Sequence, residues 1–266
     1  MNREILSFFN LTADPFGKEI PSDKLFTLPQ SDNYMRLIRM GVENRGIGMI
    51  TGKSGTGKSC LIRMLVSELH TGIYKPLYVC HTTSGNIEFY IQLCNVLGLQ
   101  PSGRRTVMLK NIKEHIITMN KSHRVHPVLI IDEAHLLSTD ILQEIRILTN
   151  FEIDSYNALT VIFCGQESFR QKLGLSALES LANSITMNIT VETLAKEDTF
   201  TYIEKRLSLC GITSPVFTKN AIECIHNNSH GILRIINSIA SSALSKAFSL
   251  KSSQVEREHV DYVTSR

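Results

Sequence analysis

Apolar and polar positions along the chain follow two rhythms. From Gly46 to about Val191, short unbroken apolar runs alternate with segments whose apolar residues recur at helical spacing. The runs are GIGMIT, KPLYVC, HPVLIID and ALTVIFCG. The helix-period segments are Cys60 to Leu69, two helices after KPLYVC, and ILQEIRILTNF. A short run that is apolar on both faces suits a strand covered on both sides. Strands alternating with helices predict an α/β domain over residues 46–192 with a mostly parallel sheet. Beyond Val191 only the helical rhythm persists: Lys196 to Cys210 ending at Gly211, a helix from the N-cap Thr218, another from Gly231 to Phe248, and a short terminal one. These predict a small all-helical domain over 193–266. The lead-in, residues 1–45, carries Pro15, Pro21 and Pro29, whose fixed φ and missing donor suit extended or turn conformations rather than regular elements.

Composition narrows the class. The chain has 266 residues, 42% of them apolar, enough for a substantial buried core. Its 28 Lys and Arg against 25 Asp and Glu leave only +3, so any nucleic-acid surface must be local rather than global. Six cysteines at 60, 80, 94, 164, 210 and 224 show no metal-ligand spacing, and read as small buried hydrophobes of a reducing compartment. The N-terminus, MNREILSFFNLTADPF, lacks the unbroken apolar stretch of a secretory signal, and no later run approaches the length of a membrane span. The expectation is a cytoplasmic protein without a membrane segment.

The sharpest chemical signal is Gly52-Lys53-Ser54-Gly55-Thr56-Gly57-Lys58-Ser59, which fits GxxxxGK(S/T), follows the strand GIGMIT and opens a helix. In such a loop the glycines let backbone N–H groups turn toward a phosphate chain. Lys58 reaches the terminal phosphates and Ser59 offers a hydroxyl to Mg²⁺, with Cys60 next in line at the nucleotide. An accidental glycine turn is the alternative, and the flanking strand and helix weigh against it. Downstream, Val128-Leu129-Ile130-Ile131-Asp132-Glu133 is an apolar strand ending in two carboxylates, at the edge where open α/β sheets bind ligands. Asp132 is placed in the Mg²⁺ shell and Glu133 as the group that polarises the attacking water. A solvated acidic turn would explain the pair alone but not its partnership with the glycine loop. Asp132-Glu133-Ala134-His135 also spells a helicase-type box, but no other helicase motif accompanies it, and His135 reads as a polar residue starting a loop.

Asp14-Pro15-Phe16, the glycine loop, IIDEAHLLS, LQEIRILTNFE, VIFCGQESFR and Ser229-His230-Gly231-Ile232-Leu233-Arg234-Ile235-Ile236-Asn237 together resemble the AAA+ P-loop ATPases of the ExeA and TnsC type, over nearly the whole chain. The resemblance implies an ATPase using ATP and Mg²⁺, with a five-stranded mostly parallel sheet and the helical domain as a lid. It puts Gln166 at sensor 1 orienting the water, Arg234 at sensor 2 reaching the phosphates, and Pro15 and Phe16 near the adenine. A helix-capping amide, a surface arginine and a core anchor are their plainer readings. The family usually carries an arginine just before the fifth strand that reaches a neighbouring subunit's site. Here that segment reads Glu179-Ser180-Leu181-Ala182-Asn183-Ser184-Ile185, with Ser184 at the position. Either Arg170 or Arg146 supplies the charge, or hydrolysis is slow.

Residues 101–126 hold Arg104, Arg105, Lys110, Lys113, Lys121 and Arg124 against Glu114, a local +5 that leaves −2 for the remainder. With Thr106, the set Arg104, Arg105, Lys110 and Lys121 could line a duplex phosphate backbone without reading bases, or could be a solvated helix face. The resemblance favours double-stranded DNA. The leading expectation is a transposition regulator that forms a homo-oligomeric ring or helical filament on DNA and engages a transposase, and possibly a target-selection protein. The rivals are an ExeA-like secretion-assembly ATPase, expected to continue into a membrane span and wall-binding domain where this sequence stops at Arg266, and a nucleotide-gated interaction module with negligible hydrolysis.

Overall fold

The computed structural model describes residues 1–17, 29–80, 85–212 and 214–265. Their contacts divide into two units: Asn33–Gly52 with Lys58–Val191, and Met1–Asp32 with Lys53–Gly57 and Glu192–Arg266.

The first unit is built on five parallel strands in the order β2-β3-β4-β1-β5: β1 (Ile47–Thr51), β2 (Tyr74–Val79), β3 (His126–Ile131), β4 (Thr160–Gly165) and β5 (Ile185–Thr190). This is the expected α/β architecture. Every residue of β1, β3 and β4 is buried, whereas the edge strands β2 and β5 bury only part of theirs. Unbroken apolar runs in the sequence thus mark central strands, as sheets covered on both faces require. The covering helices are α2 (Pro29–Glu43), α3 (Lys58–Glu68), α4 (Asn86–Leu97), α5 (Arg105–Lys121), α6 (Thr139–Thr149), α7 (Ser168–Leu173) and α8 (Glu179–Ser184). On α5 the buried residues Met108, Ile112, Ile116 and Met119 recur at helical spacing, and α6 does the same with Ile141, Leu142, Ile145 and Leu148.

The second unit has its own core, formed by α1 (Arg3–Phe8), α9 (Lys196–Ser208), α10 (Lys219–Ser229), α11 (Leu233–Ser249) and α12 (Arg257–Thr264). Thr218 caps α10, its hydroxyl accepting from the Ala221 N–H at 3.3 Å. Ile5, Phe9, Leu11 and Phe16 lie in the same core as Ile203, Ile225, Ile236 and Leu244.

Three expectations need correction. The lead-in contains regular helices, because Pro29 stands at the first position of α2, where its missing N–H breaks no helical hydrogen bond; Pro15 lies in a turn, and Pro21 falls outside the described residues. Nor does the lead-in end at residue 45 as one piece: Met1–Asp32 groups with the helices, while α2 from Asn33 onward groups with the sheet and buries Met35, Ile38 and Val42. Four cysteines are buried, but Cys60 and Cys80 are exposed, since both sit just beyond the buried part of an element.

A polar network crosses the sheet unit at His126. Its Nδ1 donates to Asn120 Oδ1 at 3.0 Å and its Nε2 meets the Thr160 hydroxyl at 2.9 Å, while the Asn120 amide donates to Ile116 O and Ala158 O. Burial, with a smaller push from Arg45, lowers the imidazole pKa to about 4. The unfolded chain therefore binds the extra proton between about 6.5 and about 4. Stability is complete above pH 6.5 and declines as pH falls through this window, by on the order of 3 kcal/mol at its foot. Urea melts from pH 7 to pH 4 are expected to show this decline in the wild type and a shallower one in His126→Gln.

Candidate active site

Between Thr51 at the end of β1 and Lys58 at the start of α3 the chain makes a tight loop. Gly55 and Gly57 have φ of 84° and 102°, the left-handed region that side chains avoid. A Cβ at Gly55 would stand 2.8 Å from the Arg234 Cβ, and one at Gly57 2.9 Å from Leu233 Cδ1. At both points only bare backbone fits. The Thr56 hydroxyl closes the turn by donating to Lys53 O at 3.0 Å. The Lys58 ammonium donates to Gly52 O at 2.8 Å, folded over its own loop. Ser59 and Cys60 lie exposed in the first turn of α3, where free N–H groups and the helix dipole favour an anion. Arg234, in the first turn of α11, donates its backbone N–H to Gly55 O at 3.1 Å and a guanidinium N–H to Ser54 Oγ at 3.3 Å. Sensor-2 candidate and loop are thus physically linked.

Asp132 is the first polar residue beyond β3 and is only 8% exposed. Its Oδ1 accepts the Glu133 N–H at 2.8 Å and its Oδ2 accepts the Tyr78 hydroxyl at 2.9 Å, with the buried Cys164 thiol nearby. Burial and then Asp132 itself push the Tyr78 and Cys164 pKa values up, with Lys58 a weaker opposing influence on Cys164, so phenol and thiol keep their protons. A carboxylate held by these two donors is a hard oxygen ligand of the kind that Mg²⁺ takes. The described residues hold no group of three or more His, Cys, Asp and Glu able to bind a metal. One carboxylate and a serine suit Mg²⁺, which completes its shell with water and phosphate.

Glu133 sits at φ 53°, left-handed, with its side chain 53% exposed. Its Oε2 is 3.4 Å from His135 Nδ1, the same nitrogen that lies 3.4 Å from the Gln166 backbone N–H. One ring nitrogen cannot both accept from Gln166 and donate to Glu133, so the tautomer selects the partner. The short 3₁₀ turn Ala134–Leu136 that carries His135 is held by Lys172, which donates to His135 O at 2.6 Å and Leu137 O at 2.8 Å. The turn also packs so closely on β4 that a Cβ at Gly165 would come 3.1 Å from the His135 N. Glu133, His135 and Gln166 are thereby brought together. Tyr78, Cys164, His135 and Lys172 were not legible as site residues, since only strand register and the tertiary path of Ala134–Leu136 bring them in.

Elsewhere several expectations shift. Pro15 and Phe16 are buried, with Phe16 edge-on to Phe217 at 6.0 Å, the core-anchor role. Arg105 of the basic segment is committed to Glu144, a buried carboxylate on α6 that also accepts the Tyr90 hydroxyl at 2.8 Å. Lys121 pairs with Glu152, and Lys113 donates to Asn150 O, so both face the loop after α6. Thr106 is exposed at the start of α5. Arg104, Lys110 and Arg124 remain exposed, Lys110 within 3.8 Å of Glu114. The expected DNA surface is accordingly smaller than its charge count. Near Ser184, whose hydroxyl donates to Leu181 O, an open groove of about 680 Å³ is lined by Arg146, Asp154, Ser176, Glu179, Asn183 and Ser184 among others. Arg146 shares that groove and is paired with Asp154 at 2.8 Å, while Arg170 bonds to Asn188 and Thr190 on β5.

Comparison with known proteins bears on the family and the fold. Residues 39–173 match the family described as AAA domain. The chain is 28% identical over 252 residues, 93% of its length, to general secretion pathway protein A of Aeromonas hydrophila, and spans 46% of that protein. Its fold resembles Cdc6p from Pyrobaculum aerophilum, with a TM-score of 0.71 at 15% identity, covering 92% of this chain and 69% of that one. It also resembles the Drosophila ORC bound to DNA, with a TM-score of 0.72 at 16% identity, covering 98% and 65%. Among the described residues no helix is long and apolar enough to cross a membrane.

The Arg105 assignment has a measurable consequence. Arg105→Ala leaves the buried Glu144 with one partner fewer and is expected to lower stability by about 1–2 kcal/mol in urea melts, reduced from a fully buried pair by the exposure of the arginine. Arg104→Ala is expected to stay within about 0.5 kcal/mol of wild type.

Proposed function

Because the chain belongs to the AAA domain family, we propose that it binds ATP with Mg²⁺, hydrolyses it to ADP and phosphate, and works as the nucleotide-driven, self-assembling module of a secretion-assembly system. The nucleotide reading is carried by the glycine loop ending in Lys58 and Ser59, together with Asp132 and Glu133 at the carboxyl edge of the sheet unit. Lys58 and the N–H groups of the loop hold the phosphate chain, and Arg234 adds charge from α11. Ser59 and Asp132 hold Mg²⁺, which when bound neutralises charge on the phosphate oxygens. Glu133 draws the proton from a water that Gln166 orients, and the oxygen of that water attacks the terminal phosphorus. The bond to the bridging oxygen breaks, and ADP leaves with those electrons. The secretion reading is supported by the likeness to general secretion pathway protein A over 93% of this chain.

A second reading, transposition control on duplex DNA, is supported by the exposed Arg104, Lys110 and Arg124 and by a fold shared with a protein seen bound to DNA. Phosphate contacts would weaken with salt at a slope of about 0.9 per contact. Fluorescence anisotropy with a random duplex is expected to show no binding beyond what low salt alone produces, as the secretion reading requires. A steep salt slope that flattens in Arg104→Ala would favour the DNA reading instead.

For the chemistry, Lys58→Ala is expected to abolish ATP binding, whereas Glu133→Gln keeps binding and loses turnover, since one side chain touches phosphate and the other serves only the attack. With Ser184 where the family carries its arginine, wild-type turnover should remain well below about 10 per second. A phosphate-release assay checks both, and wild-type hydrolysis by Glu133→Gln would refute the assignment of the base.

A further inference from the structure

We propose that Tyr78 is a positioning residue that fixes which face of the Asp132 carboxylate is presented to Mg²⁺, an assignment that rests on the nucleotide reading above. The placement follows from register. Tyr78 pairs with Ile130 across β2 and β3, and Ile130 pairs with Ile162 across β3 and β4. Two residues on from Ile130 is Asp132, and two on from Ile162 is Cys164, so Tyr78, Asp132 and Cys164 lie on one face of the sheet, with the carboxylate between phenol and thiol.

An ionised carboxylate offers about four lone-pair positions. Two are taken by the chain itself: Oδ1 by the Glu133 N–H at 2.8 Å and Oδ2 by the Tyr78 hydroxyl at 2.9 Å. What remains for a cation or its water is one position on each oxygen, in directions set by the protein. The Glu133 N–H lies on the adjoining residue and follows the carboxylate, so it cannot fix the rotation of the side chain alone. The Tyr78 hydroxyl comes from a separate strand and can. Tyr78 stands at 47% exposure on an edge strand, where the hydrophobic core does not need it, so its side chain is available for this hydrogen bond. Residues that orient a ligand in this way alter metal affinity even though they do not touch the metal.

The test uses Tyr78→Phe in the full chain, which removes one oxygen and keeps the ring. Binding of a fluorescent ATP analogue is measured with EDTA and then across a Mg²⁺ titration, with a urea melt alongside. The expected result is unchanged affinity in EDTA, an intact melt, and a Mg²⁺ midpoint raised about tenfold. Cys164→Ala, which changes the same face of the sheet without removing the phenol, should sit near wild type. A midpoint within twofold of wild type in a folded, ATP-binding Tyr78→Phe overturns the proposal while leaving the nucleotide reading in place. Failure of Tyr78→Phe to fold also overturns it, since the hydroxyl would then serve the fold. Failure of the wild type to bind ATP in either medium overturns the nucleotide reading, and this proposal with it.

Discussion

A parallel sheet covered on both faces admits polar side chains only where its strands end. β1, β3 and β4 are buried along their whole lengths, so the chain cannot place a working charge within them without leaving it unsolvated. Chemistry is confined to the first residues past each apolar run: the loop after Thr51, Asp132 after Ile131, and Gln166 after Gly165. Because the strands are parallel, all of these ends share one edge. The same covering that gives the sheet its stability therefore brings the end of β1, the two carboxylates and the amide to one edge.

This constraint explains what could be read from the sequence. The glycine loop is contiguous, and its pattern is complete within its own eight residues. Asp132 and Glu133 could be placed because an unbroken apolar run announces a central strand and therefore a shared edge. The helices could be read because Met108, Ile112 and Ile116, or Ile141, Ile145 and Leu148, repeat at helical spacing. Tyr78 and Cys164 could not, because their meeting with Asp132 depends on the register of three strands that lie far apart in the chain. Arg105 was misjudged for a related reason: its partner Glu144 sits on another helix, and a charge run looks solvated until its counter-charges are located. The division of the lead-in was equally hidden, since α1 and α2 are each amphipathic and nothing local says which core each one joins.

Glu133 combines two demands that conflict. It must follow a buried strand directly and yet turn its side chain back toward the edge, and its φ of 53° shows how the backbone meets both. The 3₁₀ turn that follows is clamped by Lys172 and seated against Gly165, so the neighbouring structure holds the strained conformation in place.

The loop after α6 shows a different use of strain. Glu152, Ile153 and Asp154 are all left-handed, and the β-branched Ile153 stands 98% exposed among them. Neither the conformation nor the exposure is favoured locally. The loop is fastened on either side by the Lys121 to Glu152 ion pair, open to water, and the Arg146 to Asp154 pair, whose arginine is only 22% exposed. An open pair weakens as ions crowd the surface, whereas a partly buried one is screened much less and the strain they hold does not depend on salt. Ionic strength therefore acts on this loop as a selective solvent: rising salt loosens its Lys121 side while the Arg146 side keeps its hold.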